Sequence, residues 1–169
     1  MRTARLRDSF SVLIALAAVS GCGSVPIQPM PPLPDLRRLE LSPADSERLV
    51  AAVKADRTDS LACFDPMRDD TVGVTPPVRI RGSTDAYPPP ARKRGVQGWV
   101  ALTYIIGTDG IVEPNSVFVL GASDTAFVDP ARFVILNSLF APGRRNGKPI
   151  RTLARQVAEF RLKKPKVGL

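Results

Sequence analysis

The sequence predicts an α+β fold: a small antiparallel three-stranded sheet with two helices on one face, preceded by a signal peptide, a Pro-rich linker and a helical segment. Three observations carry this. Gly98–Ile106 reads GWVALTYII, rich in β-branched and aromatic residues, the composition of a strand. Gly107-Thr108-Asp109-Gly110 follows it, and Asp-Gly between two apolar runs is the strongest short-range hairpin signal. Ile150–Leu162 then alternates, with Ala154, Ala158, Phe160 and Leu162 on one face and Arg151, Arg155, Glu159 and Arg161 on the other.

In chain order, residues 1–21 read as a signal peptide. Arg2, Arg5 and Arg7 form a positive start, and Phe10–Val19 is apolar but for Ser11. A bilayer span needs about 20 apolar residues, so this run fits a cleaved export signal. Residues 22–41 form a linker, with five prolines among the ten residues 25–34. That density favours extended polyproline II, a semi-rigid spacer of about 3.1 Å per residue. Residues 42–86 hold one helix, Pro43 to about Ala55. Ser42 is its N-cap, Pro43 its first residue, and Asp45 and Glu47 suit its positive end. Leu49, Val50, Ala52 and Val53 give it an apolar stripe. Val78–Arg81 reads as a short strand.

The domain itself spans 87–164, with a tail at 165–169. After the hairpin turn, Ile111–Leu120 is expected to return as the second strand. A helix capped by Asp129 and Pro130 is expected to run to about Phe140, where Pro142 and Gly143 stop it. Arg144–Pro149 is a basic turn into the last strand. One helical layer over a sheet gives a compact α+β domain.

Charge is uneven. Residues 87–169 hold 13 Lys/Arg against 5 Asp/Glu, whereas residues 22–86 hold 8 against 10. A basic domain suits anionic lipid, cell-wall polymer or an acidic protein; for an exported chain, nucleic acid is not an expected partner. The chain has no histidine, which removes the commonest general base and metal ligand, and its two cysteines are Cys22 and Cys63. No Cys/Asp/Glu cluster has metal spacing and no Gly-rich loop follows a strand, so neither enzyme activity nor a cofactor is expected. Asp65, Asp69 and Asp70 read as a solvated loop. Cys63, between Ala62 and Phe64, reads as a buried apolar residue.

Two resemblances sharpen this. Val19-Ser20-Gly21-Cys22 resembles the lipobox of bacterial lipoproteins. It implies cleavage before Cys22, thioether lipidation of its thiol and N-acylation of the new amine, with palmitate-type chains fixing the protein to membrane lipid. Gly23 in place of Asp favours the outer membrane over the inner in the enterobacterial sorting pattern.

The C-terminal run resembles the TonB C-terminal domain family. The matching features are Tyr87-Pro88, the turn ending at Gly95, the Gly98–Val100 strand entry and Gly107-x-Asp109-Gly110. Phe140-x-Pro142, Arg145-x-Gly147-Lys148-Pro149-Ile150 and Phe160-x-Leu162 continue the order. The family implies an envelope protein facing the periplasm whose last strand accepts an extended segment of an outer-membrane receptor or other envelope protein. Carried over, the binding edge is Arg155, Gln156, Val157, Ala158, Glu159 and Phe160. A role in TonB-dependent transport, or a structural lipoprotein that forms a homodimer through this edge, are the other expectations. The transmembrane helix and long spacer of TonB itself have no counterpart in this sequence.

Overall fold

The structure, a computed structural model, describes residues 25–54, 62–64, 73–82 and 86–163, with the backbone alone for 62–64. The expected signal peptide, Cys22, the three clustered aspartates, the Cys63 side chain and the tail lie outside what is described.

Helix α1 is Pro43–Lys54, followed by strands β1 (Ala62–Phe64), β2 (Val74–Thr75) and β3 (Val78–Arg81). Helix α2 (Pro89–Lys93) leads into β4 (Gly98–Ile106) and β5 (Phe118–Ala122). Helix α3 (Val128–Leu136), β6 (Leu139–Ala141), β7 (Arg144–Arg145), β8 (Lys148–Pro149) and β9 (Thr152–Phe160) complete the chain order. α1 starts as its sequence dictates: Ser42 Oγ accepts the Asp45 N–H at 3.1 Å, and Pro43 occupies a position with no helical N–H to satisfy. Of its apolar stripe, Leu49, Ala52 and Val53 are half-buried while Val50 is exposed.

The main sheet has the order β1-β9-β4-β5. β9 pairs antiparallel with all of β4, from Gly98↔Phe160 to Ile106↔Thr152, and β5 takes the other side of β4. To the three antiparallel strands expected, the fold adds β1, which pairs in parallel with Thr152–Ala154. Small sheets β2-β7-β8 and β3-β6 flank it.

The return run departs from expectation. Ile111–Leu120 is not one strand: it makes a bridge at Ile106↔Val112, then a 3-10 turn at Pro114–Ser116, and joins the β4 ladder only from Phe118, with a register shift opposite Ala101 and Leu102. Pro114 has no N–H for a ladder. Ser116 repairs the gap, its Oγ accepting the Ile105 N–H at 2.9 Å and donating to Glu113 O at 2.7 Å.

The second helix also stops early, at Leu136. Asn137 closes it, and Phe140 belongs to β6, paired with Arg79 of β3. Arg144–Pro149 is a β-hairpin whose Asn146-Gly147 turn uses positive φ at both residues (51° and 80°). The last strand is trimmed to Thr152–Phe160.

Side chains alternate across β4. Val100, Leu102, Tyr104 and Ile106 enter the core with Phe127, Ala131 and Ile135 from α3 and its approach, and with Ala91 of α2. Ala101, Thr103 and Ile105 face the opposite way and are buried too, beside Phe118 and Leu120. Residues 25–54 help cover that second face. Arg155 Nη1 donates to Leu36 O at 3.4 Å, the Arg48 guanidinium lies 5.8 Å from the Phe118 ring centroid, and Leu39 reaches Gly121. The Pro-rich segment expected to be a spacer thus lies along the domain. Its extended backbone leaves carbonyls unspent, and Pro32 O accepts the Trp99 indole N–H at 2.9 Å.

Tyr104 supplies a test of this packing. Its hydroxyl donates to Gln156 Oε1 at 2.7 Å, and burial pushes its pKa up to about 12 against the pull of Arg79. A phenol held above its unfolded value near 10 contributes stability that is complete below about pH 10 and is lost as pH rises through 12. Absorbance titration of tyrosinate should therefore show a late step, accompanied by loss of β-sheet circular dichroism. Tyr104→Phe should remove that step.

Candidate functional site

The backbone of β4 fixes which groups of β9 are free. Trp99 N donates to Ser123 Oγ at 2.8 Å, and Trp99 O accepts from Ser123 N at 3.0 Å. Ile105 N donates to Ser116 Oγ, and Ile105 O accepts from Glu113 N at 2.9 Å. Both residues therefore face the β5 side. Because these directions alternate along an antiparallel strand, the even-numbered residues of β4 face β9. Through the register, Ala154, Gln156, Ala158 and Phe160 turn their N–H and C=O to β4, while Leu153, Arg155, Val157 and Glu159 turn theirs outward. β1 covers the outer edge only at Thr152–Ala154. Among the described residues, no strand pairs with the outer edge from Arg155 to Phe160.

The six residues named from the sequence thus have different situations. Arg155, Val157 and Glu159 present the outward backbone, with Arg155 held at Leu36 O and Glu159 paired to Arg161 at 2.6 Å. Gln156, Ala158 and Phe160 place their side chains on the core face, and Phe160 is buried, stacked on Phe127 at 4.6 Å between centroids. Along this edge runs a cleft of about 200 Å³, lined by Arg79, Tyr87, Val134, Ile135, Gln156 and Ala158 among others. Arg79 belongs to β3, upstream of the motifs, so no spacing in the sequence brings it to this edge.

Tyr87 joins the cleft to the core. Its ring meets Phe127 and Phe160 edge-on, and its hydroxyl donates to Val96 O. Burial raises its pKa, partly offset by the Arg92 guanidinium 5.5 Å from its ring. The cations of the Arg144–Lys148 hairpin are exposed, and Arg144 Nη1 donates to Gly147 O at 2.8 Å. Among the described residues, no group of three or more His, Cys, Asp or Glu could hold a metal ion, and no helix is long and apolar enough to cross a membrane.

The family model described as Gram-negative bacterial TonB protein C-terminal matches residues 84–162. Among solved structures, the chain is similar to the solution NMR structure of the Pseudomonas aeruginosa TonB C-terminal domain. That likeness has 22% identity and a TM-score of 0.43, and covers 64% of this chain and 99% of that one. No curated protein sequence matches. The matched residues run from before α2 to just past β9, taking in both the hairpin and the edge strand, and the chain carries a TonB-like C-terminal domain at residues 84–162.

Proposed function

We propose that this protein is an envelope lipoprotein, anchored through acylated Cys22 and facing the periplasm from the outer membrane. Its TonB-like domain binds an extended segment of another envelope protein by strand addition, without chemistry. The observation that carries this reading is the outer edge of β9 from Arg155 to Phe160, which no strand among the described residues covers, with outward N–H and C=O groups at Arg155, Val157 and Glu159. An extended peptide would complete the ladder there, and its side chains on the core face would meet the cleft beside Tyr87 and Val134. TonB-like domains act in the bacterial envelope through contacts with other proteins, which supports the class of partner.

The test uses the mature chain as bait in envelope extracts. Val157→Pro deletes one outward donor and leaves the β4 ladder intact, so capture should be lost while the melting temperature stays close to that of the parent. Ala158→Pro deletes a donor to β4 and should lower the melting temperature sharply. Undiminished capture by Val157→Pro would sink strand addition. Capture of a receptor's periplasmic segment would place the protein in TonB-dependent transport; capture of the chain alone would make the edge a homodimer interface instead.

A further inference from the structure

The tether and the end of the last strand meet at one place. Gln28 N donates to Gly95 O at 2.8 Å, and Gln28 Nε2 to Arg94 O at 3.4 Å. Gln97 joins the two chain ends: its Nε2 donates to Gln28 O at 2.7 Å, and its Oε1 accepts the Leu162 N–H at 2.8 Å. Around this junction stand five exposed cations, Arg92, Lys93 and Arg94 from α2 and its cap, and Arg161 and Lys163 just past β9. The acid close to them in sequence, Glu159, is paired with Arg161.

We propose that this basic end is a docking surface for anionic phospholipid headgroups. The inference rests on the reading of Cys22 as the lipid anchor. Cys22 precedes Gln28 by six residues. A fully extended chain spans at most about 3.6 Å per residue, so Gln28 lies within about 22 Å of the bilayer surface. Because Gln28 is hydrogen-bonded to the backbone of Arg94 and Gly95, the short tether holds these cations at the membrane. Each Lys or Arg close to an anionic surface shifts such an equilibrium about fivefold toward docking. The acyl chains supply attachment, and the basic end supplies orientation.

Trp99 is the chain's one tryptophan, and its indole is fixed to Pro32 O within the tether segment. The lipidated mature chain would be placed in vesicles of phosphatidylcholine alone, or mixed with phosphatidylglycerol, each carrying a dansyl-labelled lipid. Energy transfer from Trp99 should be greater on the anionic vesicles. It should return to the neutral-vesicle level in about 1 M salt, where the Debye length is about 3 Å. Lys93→Gln, Arg94→Gln and Lys163→Gln, all exposed, should together lower the ratio of docked to undocked protein about 100-fold without changing the melting temperature. Equal transfer on both vesicle types, with the protein floating on both, overturns the docking surface and leaves the anchor standing. Failure to incorporate into either overturns the anchor and this proposal with it. Variants that keep full transfer but lose an envelope protein would reassign the cations to an acidic protein partner.

Discussion

Phe127→Ala is expected to destabilise the domain by about 3–5 kcal/mol, the cost of removing a fully buried aromatic ring. Phe127 is 0% exposed, stacked on Phe160 and met edge-on by Tyr87. These three rings close one end of the core, where the entry to α2, the approach to α3 and the end of β9 converge. The neighbouring backbone is built around the ring: a Cβ on Gly98 would stand 2.6 Å from Phe127 Cε2. The site cannot collapse cheaply, because the backbone of β4 beside the cavity is held by β5 and β9. For a domain of this size each kcal/mol moves the melting temperature by about 4–8 °C, so the loss should be at least 12 °C by circular dichroism. Phe133→Ala is the control. Phe133 lies in α3 but is 56% exposed, and its loss should fall within about 0.5 kcal/mol.

Local signals in the sequence carried the elements they could carry. Ser42-Pro43 starts α1, GWVALTYII is β4 from end to end, and Asp109-Gly110 turns the chain with Gly110 at φ +82°. The segments that depart from their local signals are those where a partner distant in sequence decides the outcome. Phe140 continues the apolar period of α3, yet it becomes a strand because β3, some 60 residues upstream, offers it a ladder. β1 has three residues, too few for any pattern, and exists through its parallel pairing with β9. One signal for this lies in the sequence: β4 is apolar along its length but for Thr103, the mark of a strand covered on both faces. Something had to bury Ala101, Thr103 and Ile105. Leu36, Leu39 and Arg48, in the segment read as a spacer and the helix after it, lie on that side. Of the candidate edge, the strand and its alternation were legible. The outward direction of Val157 was not, since it depends on how Trp99 and Ile105 are paired on the far side of β4.

Glu113→Ala should be the second large loss, about 3 kcal/mol, because it strips the carboxylate from a guanidinium that water barely reaches. Arg151 Nε and Nη2 each donate to Glu113 at 2.7 Å, a two-point contact, and the Arg151 side chain is 5% exposed. Glu113 is 32% exposed and borders a recess of about 740 Å³ shared with Arg48, Ala52 and Pro114. Water can enter there after truncation, which places the loss at the lower end of the range for broken buried pairs. Glu113→Gln keeps an acceptor and should cost less. The pair also joins pieces remote in sequence: Glu113 opens the 3-10 turn that interrupts the return run, Arg151 precedes β9, and Arg151 Nη2 also donates to Ala52 O of α1 at 3.3 Å. Loosening Arg151 should therefore loosen α1 as well. Trypsin should cut after Arg48 or Lys54 sooner in Glu113→Ala than in the parent, at temperatures where the sheet is still folded. A urea midpoint that falls without faster cleavage at those two residues would mean that α1 does not depend on the Glu113–Arg151 pair for its hold on the sheet.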